Sequence, residues 1–392
     1  MDLSWTAGEM AFRNGLRAFF SHEVPQRIRD KVSAGASLTR DDIVTSHRVL
    51  NAHGLAVPHW PLEWGGRDWS AIERYIWIEE LQRAAVPLPL QFNCNMIGPV
   101  LVRFGSAEQQ ARFLVRAANL DDWWCQGFSE PDAGSDLASL RTKAVHSGNS
   151  YIVSGQKTWT TYAQHADWMF CLVRTDAAAR KQSGISFLLI DMKSPGVSVR
   201  PIVTIDGRHE VNEVYLDNVE VPLKNLVGEE NRGWDCAKFL LASERAGIAR
   251  IGLSKERVER VRRLAQQIVA GRGTIWDSEV FRARVLMLEA DLKALEITQM
   301  QALARQQRST LPAVPDPTAS ILKLKGSQLQ QAAAELLMEI AGDRGVEAES
   351  AEGRYEWAAT AMANYVNHRK VSIYGGSNEI QRDIIAKSIL GL

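Results

Sequence analysis

Hydrophobic positions in the first third of the chain recur with the 3.6-residue period of amphipathic helices. Two groups show this period most clearly: Phe12, Leu16, Phe19 and Phe20, and then Ile72, Tyr75, Ile76 and Leu81. Between them, the stretch His59–Gly66 is punctuated by proline and glycine and is expected to be an interhelical loop anchored by its aromatic side chains. Residues 1–124 are therefore predicted to form a mostly helical domain.

From about residue 125 to residue 230 the pattern changes to short β-branched and aromatic runs separated by turn residues. The runs are Tyr151–Val153, Trp168–Val173, Ile185–Ile190, Val197–Val199 and Val214–Leu216. Strand and helix patterns do not alternate here and no G-x-G-x-x-G occurs, so a parallel nucleotide-binding sheet is not expected. The pattern predicts a small β-barrel or sandwich over residues 125–230.

Beyond residue 231 the helical period returns in four long segments, near 233–270, 278–308, 318–341 and 351–371. The stretch Ser309–Pro317 carries three prolines and is expected to be a loop. Four long helices predict a four-helix bundle over residues 231–392. The fold class is therefore α+β, with a helical N-terminal domain (1–124), a middle β-barrel (125–230) and a C-terminal helical bundle (231–392).

Composition changes this picture little. Lys and Arg together number 46, as do Asp and Glu, so nothing suggests binding to nucleic acid or to an anionic membrane. The N-terminus lacks the basic and apolar regions of a signal peptide, and no apolar run approaches the length of a membrane span. The four scattered cysteines indicate reduced thiols in a cytoplasmic protein, and the eight histidines show no metal-ligand spacing.

Two polar stretches in the middle region carry the candidate chemistry. Gly127–Asp136 reads GFSEPDAGSD, and Gly155–Thr161 reads GQKTWTT after a strand-like run. Small residues and backbone donors that approach a planar, phosphate-bearing ligand, beside an indole that flanks its ring, suit a flavin nucleotide. Taken alone, such Gly, Ser and Asp clusters are more often ordinary turns.

Both stretches resemble the flavin and thioester motifs of the acyl-CoA dehydrogenase family, and Tyr374–Arg382 (YGGSNEIQR) resembles that family's C-terminal motif. The three matches follow the family's order and span nearly the whole chain. The chain as a whole resembles the large subunit of pimeloyl-CoA dehydrogenase-type heteromers and, more distantly, the heteromeric dehydrogenases of steroid breakdown. The resemblance implies an FAD-dependent enzyme that converts an acyl-CoA thioester to the 2-enoyl-CoA and passes electrons to an electron-transfer flavoprotein.

The reaction implied by the resemblance needs a carboxylate that removes the α-proton of the thioester. Many family members carry a glutamate directly before the first glycine of the C-terminal motif, where this chain has Gly375. A second subgroup places the glutamate on a helix of the C-terminal domain, followed by arginine, and here Glu244 and Arg245 match it. Glu244 also interrupts an apolar helical stripe, and its pattern alone fits a structural ion pair equally well. Because Gly375 provides no carboxylate, Glu244 is the expected catalytic base.

The remaining contacts are carried over from the family motifs position by position. Ser129 and the backbone near Phe128 are expected at the pyrimidine end of the flavin, Trp159 against the isoalloxazine, and the Thr161 hydroxyl at N5. Ser377 and Glu379 are expected along the ribityl and pyrophosphate portion, whereas Ser135 and Arg245 are expected near the CoA arm. Each of these residues could instead be an ordinary turn or core residue with no role in binding. This alternative applies most readily to Trp159, because a buried tryptophan needs no ligand to explain it.

A second set of family motifs is degraded. In homotetrameric members, a neighbouring subunit holds the adenosine diphosphate half of FAD through an Arg-x-x-Phe-Gly motif and a Gln-x-x-Gly-Gly-x-Gly turn. Here the corresponding stretches are Ala270–Asp277 (AGRGTIWD), which keeps Arg272 without the Phe-Gly, and Met338–Gly345 (MEIAGDRG), which lacks the glutamine. An unlike, homologous partner subunit in an α2β2 heterotetramer is therefore expected. The alternative is a homodimer or homotetramer that binds FAD through divergent residues.

Two other functions remain open at this stage: an oxygen-using acyl-CoA oxidase or flavin monooxygenase on the same fold, and a non-catalytic scaffold subunit. The acyl pocket is expected to be lined in part by Gln91, Asn93 and Asn95. These polar side chains suit an acyl tail with a distal polar group, and equally suit hydrogen bonds between helices, which is their commoner use. Dicarboxyl, medium-chain and polycyclic acyl groups all remain possible.

Overall fold

The computed structural model describes residues 5–308, 317–346 and 353–392, with the side chains of 242–248, 306–308 and 353–356 excepted. The helices are α1 (Ala7–His22), α2 (Gln26–Ala34), α3 (Arg40–Ala52), α4 (Ala71–Arg83), α5 (Gly98–Phe104), α6 (Ala107–Ala118), α7 (Gly233–Ile248), α8 (Ile251–Gln267), α9 (Glu279–Arg308), α10 (Thr318–Ala341), α11 (Asp343–Val346), α12 (Ala361–Asn367) and α13 (Asn378–Ile385). The strands are β1 (Trp124–Gly127), β2 (Lys143–Ser147), β3 (Ser150–Thr161), β4 (Trp168–Arg174), β5 (Ile185–Asp191), β6 (Val197–Ile202), β7 (Val211–Pro222), β8 (Val269–Ala270) and β9 (Gly273–Thr274).

The chain folds into two compact units. One contains Leu50–Asp68 and Pro89–Glu244, and the other contains Met1–Val49, Trp69–Leu88 and Arg245–Leu392. The first unit holds the sheet, so it is called the sheet unit below, and the second is called the helical unit. No helix in the described ranges is both long enough and apolar enough to cross a bilayer.

The sheet unit is built on one seven-stranded sheet in the order β1-β4-β2-β3-β7-β6, with β5 paired to β4. β1 runs parallel to β4, whereas β3 pairs with β7, and β6 with β7, in antiparallel register. β4 and β5 are buried over almost their whole length, which explains their continuous apolar sequences. The expected middle barrel is thus present as a curled, half-closed sheet, and the five predicted strand runs all lie within its strands.

The helical unit packs α8, α9 and α10 around a shared apolar core. Its buried side chains include Val258, Val261, Val285, Leu292 and Ala333. The long segment predicted near 233–270 is divided at Arg250, which has a φ of 44°. Gly326 of α10 lies against this break, and a Cβ there would come within 2.6 Å of the Ala249 Cα atom. The helical N- and C-terminal parts are confirmed.

The segment predicted as a helix over 351–371 is less regular than expected. Its described part consists of 3-10 turns at Gly353–Thr360 and His368–Ser372 on either side of the short helix α12. Most of the predicted loop Ser309–Pro317 lies outside the described residues. The three domain boundaries proposed from the sequence remain a prediction.

Candidate functional site

The first motif begins where β1 leaves the sheet. Phe128 is buried, and its ring packs edge-on against Phe170 and Phe187, with centroid distances of 5.8 and 6.2 Å. Gly127 precedes it because the strand passes close to β4: a Cβ there would lie 2.5 Å from the Met169 sulfur. Ser129, at the end of this buried anchor, is half-buried. The first motif is therefore a rigid turn at the edge of the sheet.

The second motif lies on β3, which begins with the predicted run Tyr151–Val153 and continues through the motif to Thr161. The β3–β7 ladder shifts register between Lys157 and Thr160, and Trp159 occupies this bulge with a φ of 59°. Its side chain is 61% exposed although the surrounding strand is well packed. Thr161 ends the strand and is half-buried.

A backbone hydrogen bond joins the two motifs, from the Thr158 N–H to the Ser129 carbonyl oxygen at 2.9 Å. The structure therefore brings the loop of Phe128 and Ser129 against the end of β3 that carries Trp159 and Thr161. The Thr160 hydroxyl, next to Trp159, is buried without a hydrogen-bond partner in the described part of the chain. A large apolar side chain that stays exposed loses the favourable free energy of burial. A planar ring ligand that covered the Trp159 indole would restore this burial, so the exposed indole fits such a ligand.

Ser135 lies near the end of the first motif, on an exposed turn, so its side chain is accessible to solvent. A Cβ at the neighbouring Gly134 would meet nothing within 4 Å, which leaves the backbone of this turn open to a ligand. Asp136 is held by Lys181 at 2.8 Å, and this pairing lowers the pKa of the Asp136 carboxyl.

The C-terminal motif belongs to the helical unit. Gly375 and Gly376 form a turn with φ values of 64° and 81°, and Ser377 then caps α13 by accepting a hydrogen bond from the Ile380 N–H at 3.4 Å. Glu379 is exposed; hydrogen bonds from its own backbone N–H and from Ser377 lower the pKa of its carboxyl. The buried Gln381 amide donates to the Gly376 carbonyl at 3.1 Å, while its Oε1 has no partner among the described residues.

The expected base lies on α7. This helix buries Cys236, Ala237 and Leu240, so the apolar stripe that leads to Glu244 is present. Residues 244 and 245 are helical in the backbone, whereas the side chains of Glu244 and Arg245 lie outside the described residues. Their roles therefore remain predictions.

Among the residues considered for the acyl pocket, Asn93 proves to be structural. Its buried amide donates to the Ala117 and Asp122 carbonyls at 3.0 and 2.7 Å and accepts from the Trp124 N–H at 3.0 Å. Asn93 lies in a π-helical turn, Phe92–Ile97. The sequence allowed either contact with the acyl tail or hydrogen bonds between helices, and the structure shows the hydrogen bonds for this residue. Gln91 and Asn95 are half-buried.

The first of the two degraded motif stretches, Ala270–Asp277, lies in a small hairpin and the 3-10 turn that follows it. Arg272 is exposed in the turn between β8 and β9, and Gly271 in that turn has a φ of 63°. The Asp277 carboxylate accepts hydrogen bonds from the Thr274 N–H at 2.7 Å and from its hydroxyl at 3.0 Å. These hydrogen bonds lower the pKa of Asp277, so a negative charge is held at the base of the hairpin.

Sequence reasoning missed three residues behind the cluster: Glu130, Lys157 and Asn212. All three are buried polar side chains with several hydrogen bonds each. Glu130 and Lys157 lie within the two motifs, and a charged residue inside each motif could have indicated a buried ion pair between them. Asn212 is at the start of β7, where nothing in the local sequence separates it from a surface asparagine.

Comparison with known proteins places these motifs in a family. Three family models match consecutive parts of the chain: the acyl-CoA dehydrogenase N-terminal domain over residues 6–121, the middle domain over 125–219 and the C-terminal domain over 231–390. The chain is 37% identical to acyl-CoA dehydrogenase IpdE1 of Mycobacterium tuberculosis over 346 residues, which cover 88% of this chain and 86% of that protein.

Two solved structures share the fold over essentially the whole chain. The ChsE4-ChsE5 complex from Mycobacterium tuberculosis matches with a TM-score of 0.85 and 32% identity, covering 100% of this chain and 99% of that one. The Tcur3481-Tcur3483 steroid ACAD matches with a TM-score of 0.87 and 28% identity over the same shares of the two chains.

The fold and the motifs define a flavoprotein oxidoreductase that acts on CH–CH bonds. The chain belongs to the acyl-CoA dehydrogenase family.

Proposed function

We propose that this chain is the catalytic subunit of a heteromeric, FAD-dependent acyl-CoA dehydrogenase that introduces an α,β double bond into an acyl-CoA thioester. The observation that carries this proposal is the exposed Trp159, held on a bulge next to Ser129 in a member of a flavoprotein family. When bound, the flavin would supply the acceptor for the hydride removed from the β-carbon, and electrons would pass on to an electron-transfer flavoprotein.

Six residues are proposed to hold the cofactor. Phe128, Ser129, Trp159 and Thr161 would contact its ring, and Ser377 and Glu379 its ribityl and pyrophosphate portion. Ser135 and Arg245 would contact the CoA arm. Support comes from the hydrogen bond that joins the Ser129 and Trp159 motifs, and from the helix N-terminus capped by Ser377, since such termini favour phosphate oxygens.

Glu244 is proposed as the base that removes the α-proton. The alternative family position is Gly375, which has no side chain and sits in a left-handed turn where a glutamate would be strained. The apolar stripe on α7 would desolvate a carboxylate at Glu244. Desolvation would raise the basicity of this carboxylate, which helps it to deprotonate a weak carbon acid. Donors on the thioester oxygen would stabilise the enolate-like charge that develops as the proton leaves.

A homologous partner subunit is proposed to supply the adenosine diphosphate half of the cofactor site. Asp277 holds negative charge in the hairpin where the family motif would place phosphate ligands. α9 also presents large apolar side chains to solvent: Val280 is 74% exposed and Met287 70%. Exposed apolar surface of this kind is typical of subunit contacts, and one similar structure is described as a complex of two chains.

The same comparison supports a choice of substrate class. One similar structure is described as a steroid ACAD, so a CoA thioester with a polycyclic acyl group is the first candidate to test. Dicarboxyl and medium-chain acyl-CoA thioesters form the comparison set.

Replacing Glu244 by Gln tests the proposed chemistry. The amide is nearly isosteric but cannot take a proton, so kcat should fall roughly a hundredfold or more while flavin is retained. Asp235→Asn is the matched control, because Asp235 is an acidic residue of the same helix held by Arg232 and Lys238, and it should leave kcat unchanged. Turnover of the Glu244→Gln enzyme at the wild-type rate would exclude the assigned base.

A further inference from the structure

The bulge that presents Trp159 is tied to the rest of the sheet unit at both ends. At its start, the Lys157 side chain is fully buried and uses all three of its N–H donors. They reach the Phe128 carbonyl at 3.1 Å, the Leu172 carbonyl at 2.8 Å and Glu130 Oε1 at 2.8 Å. One ammonium group therefore links the start of the bulge to strand β4 and to the loop that carries Ser129.

Glu130 completes this contact from the loop side. Its two carboxylate oxygens accept the backbone N–H groups of Arg141 and Thr142, at 2.7 and 2.9 Å, in addition to Lys157. Burial alone would raise the pKa of Glu130, but the charge and hydrogen bonds of Lys157 and the two N–H groups outweigh it and hold the pKa below its ordinary value. The carboxylate is ionised and every contact it makes fixes the position of the loop after β1.

The far end of the bulge is held by Asn212, whose side chain is completely buried. Its amide nitrogen donates to the Thr160 carbonyl at 3.0 Å and to Gln164 Oε1 at 2.6 Å, and its oxygen lies 2.7 Å from His209 Nε2. The Thr160 carbonyl immediately follows Trp159, so this bond fixes the backbone between the indole and Thr161. Buried polar groups with all their bonds made specify one geometry, because any other leaves them unpaired.

We propose that Lys157, Glu130 and Asn212 are positioning residues for the flavin: they hold Trp159 and Thr161 in a fixed register with Ser129. Trp159 has a positive φ, and a bulge around such a residue would relax to a regular strand without these ties. This inference rests on the proposed flavin site. It adds that the affinity of the site depends on three buried side chains that do not themselves face the ligand.

The double variant Lys157→Met/Glu130→Gln tests the inference, because it removes both charges together and leaves neither one buried alone. Hydrogen exchange is measured over residues 155–164, and FAD is titrated into the purified protein together with any subunit that copurifies. We expect faster exchange in this segment and a dissociation constant for FAD raised at least tenfold, with little change in the unfolding temperature. Asn212→Leu, which keeps the branched shape of the side chain and removes the amide, should give the same two effects and serves if the first variant does not fold.

The control is Arg116→Met/Asp122→Asn, which removes a well-formed ion pair of the same unit, with an N–O distance of 2.7 Å. It should leave both exchange over 155–164 and FAD affinity at wild-type values. Wild-type exchange and wild-type FAD affinity in a folded Lys157/Glu130 or Asn212 variant would overturn the inference. If the wild-type chain binds no FAD even in complex with a homologous partner subunit, the proposed function fails, and unchanged exchange in the variants would separately refute the positioning role.

Discussion

Trp159 combines two properties that rarely occur together in a strand residue: a left-handed backbone and a large exposed ring. For a non-glycine residue this backbone costs about 1–2 kcal/mol, and the exposed ring recovers none of that by burial. The fold alone gives no reason to keep a tryptophan here. A ligand that covers the ring gives one.

Trp159→Gly separates these two roles. Glycine adopts the left-handed conformation without strain, so the free energy of unfolding of the flavin-free protein should stay the same or rise by about 1 kcal/mol. Affinity for FAD should nevertheless fall at least tenfold, as measured by titration, because the flanking indole is lost.

Asn218→Gly is the control for this prediction, since Asn218 also has a positive φ, at 53°, and lies on β7. It should leave FAD affinity unchanged. A Trp159→Gly protein that keeps full FAD affinity, or that unfolds far more easily than the wild type, would show that the tryptophan only packs.

The sequence could propose individual site residues because Ser129 and Trp159 lie in local motifs, and the structure joins these motifs through the hydrogen bond from Thr158 to Ser129. Their contacts with a flavin remain predictions. The network behind them was not predicted. Asn212 lies more than fifty residues after Trp159 along the chain, and only the antiparallel register, in which Thr160 pairs with Asn212, brings it beneath the bulge. Such long-range contacts carry no local periodicity.

At the scale of elements, a buried ionic network joins α1, α4, α8 and α9 in the helical unit. Glu79 of α4 pairs with Arg13 at 2.6 Å and with Lys255, and Lys255 also reaches Glu296 of α9 at 2.6 Å. The hydroxyl of Tyr75 donates to Glu296 at 2.9 Å. Burial alone would raise the pKa of Glu296, but Lys255 and the other donors hold it below its ordinary value.

Glu296→Gln should therefore destabilise the protein in a pH-dependent way. A carboxyl whose pKa is lowered by folding contributes stability above its unfolded pKa of about 4.3, and this contribution is lost as the pH falls through the folded value. Denaturant unfolding should show a loss of about 3 kcal/mol near pH 7 that shrinks steadily as the pH falls below about 4.

Glu289→Gln provides the comparison. Glu289 lies on the same helix α9 in a more exposed position, where it pairs with Arg262 of α8. Its effect near neutral pH should stay within about 1 kcal/mol. If the two variants lose equal stability, or if the Glu296→Gln loss does not depend on pH, the network is not the electrostatic link between these helices.

The sequence predicted helices and strands well where one face of the element, or its whole length, is buried. It missed β1, which has four residues, and β2, which buries only Ala144. Neither strand has enough alternation to be recognised. It also missed the division of the long helix at Arg250, since the close approach of Gly326 to Ala249 depends on a helix some seventy residues away.

For the whole molecule, the proposed cofactor site has two parts that differ in how well the chain keeps the family motifs. The sheet unit holds the proposed ring-binding residues Ser129 and Trp159 together through the hydrogen bond from Thr158 to Ser129. The hairpin at β8 and β9 instead keeps an acidic residue, Asp277, bonded to its own backbone. The sequence could suggest this asymmetry because local motifs identify both parts, but the identity of a partner leaves no trace in one chain.

The most direct test of this account is FAD content per chain, measured together with native mass. It is determined for the chain purified alone and after coexpression with homologous acyl-CoA dehydrogenase subunits of the same organism. We predict little or no FAD for the chain alone, and an α2β2 assembly with one FAD for each pair of unlike subunits when the right partner is present. A stable homo-oligomer that carries one FAD per chain by itself would contradict the account, because the altered half-site would then bind adenosine diphosphate unaided.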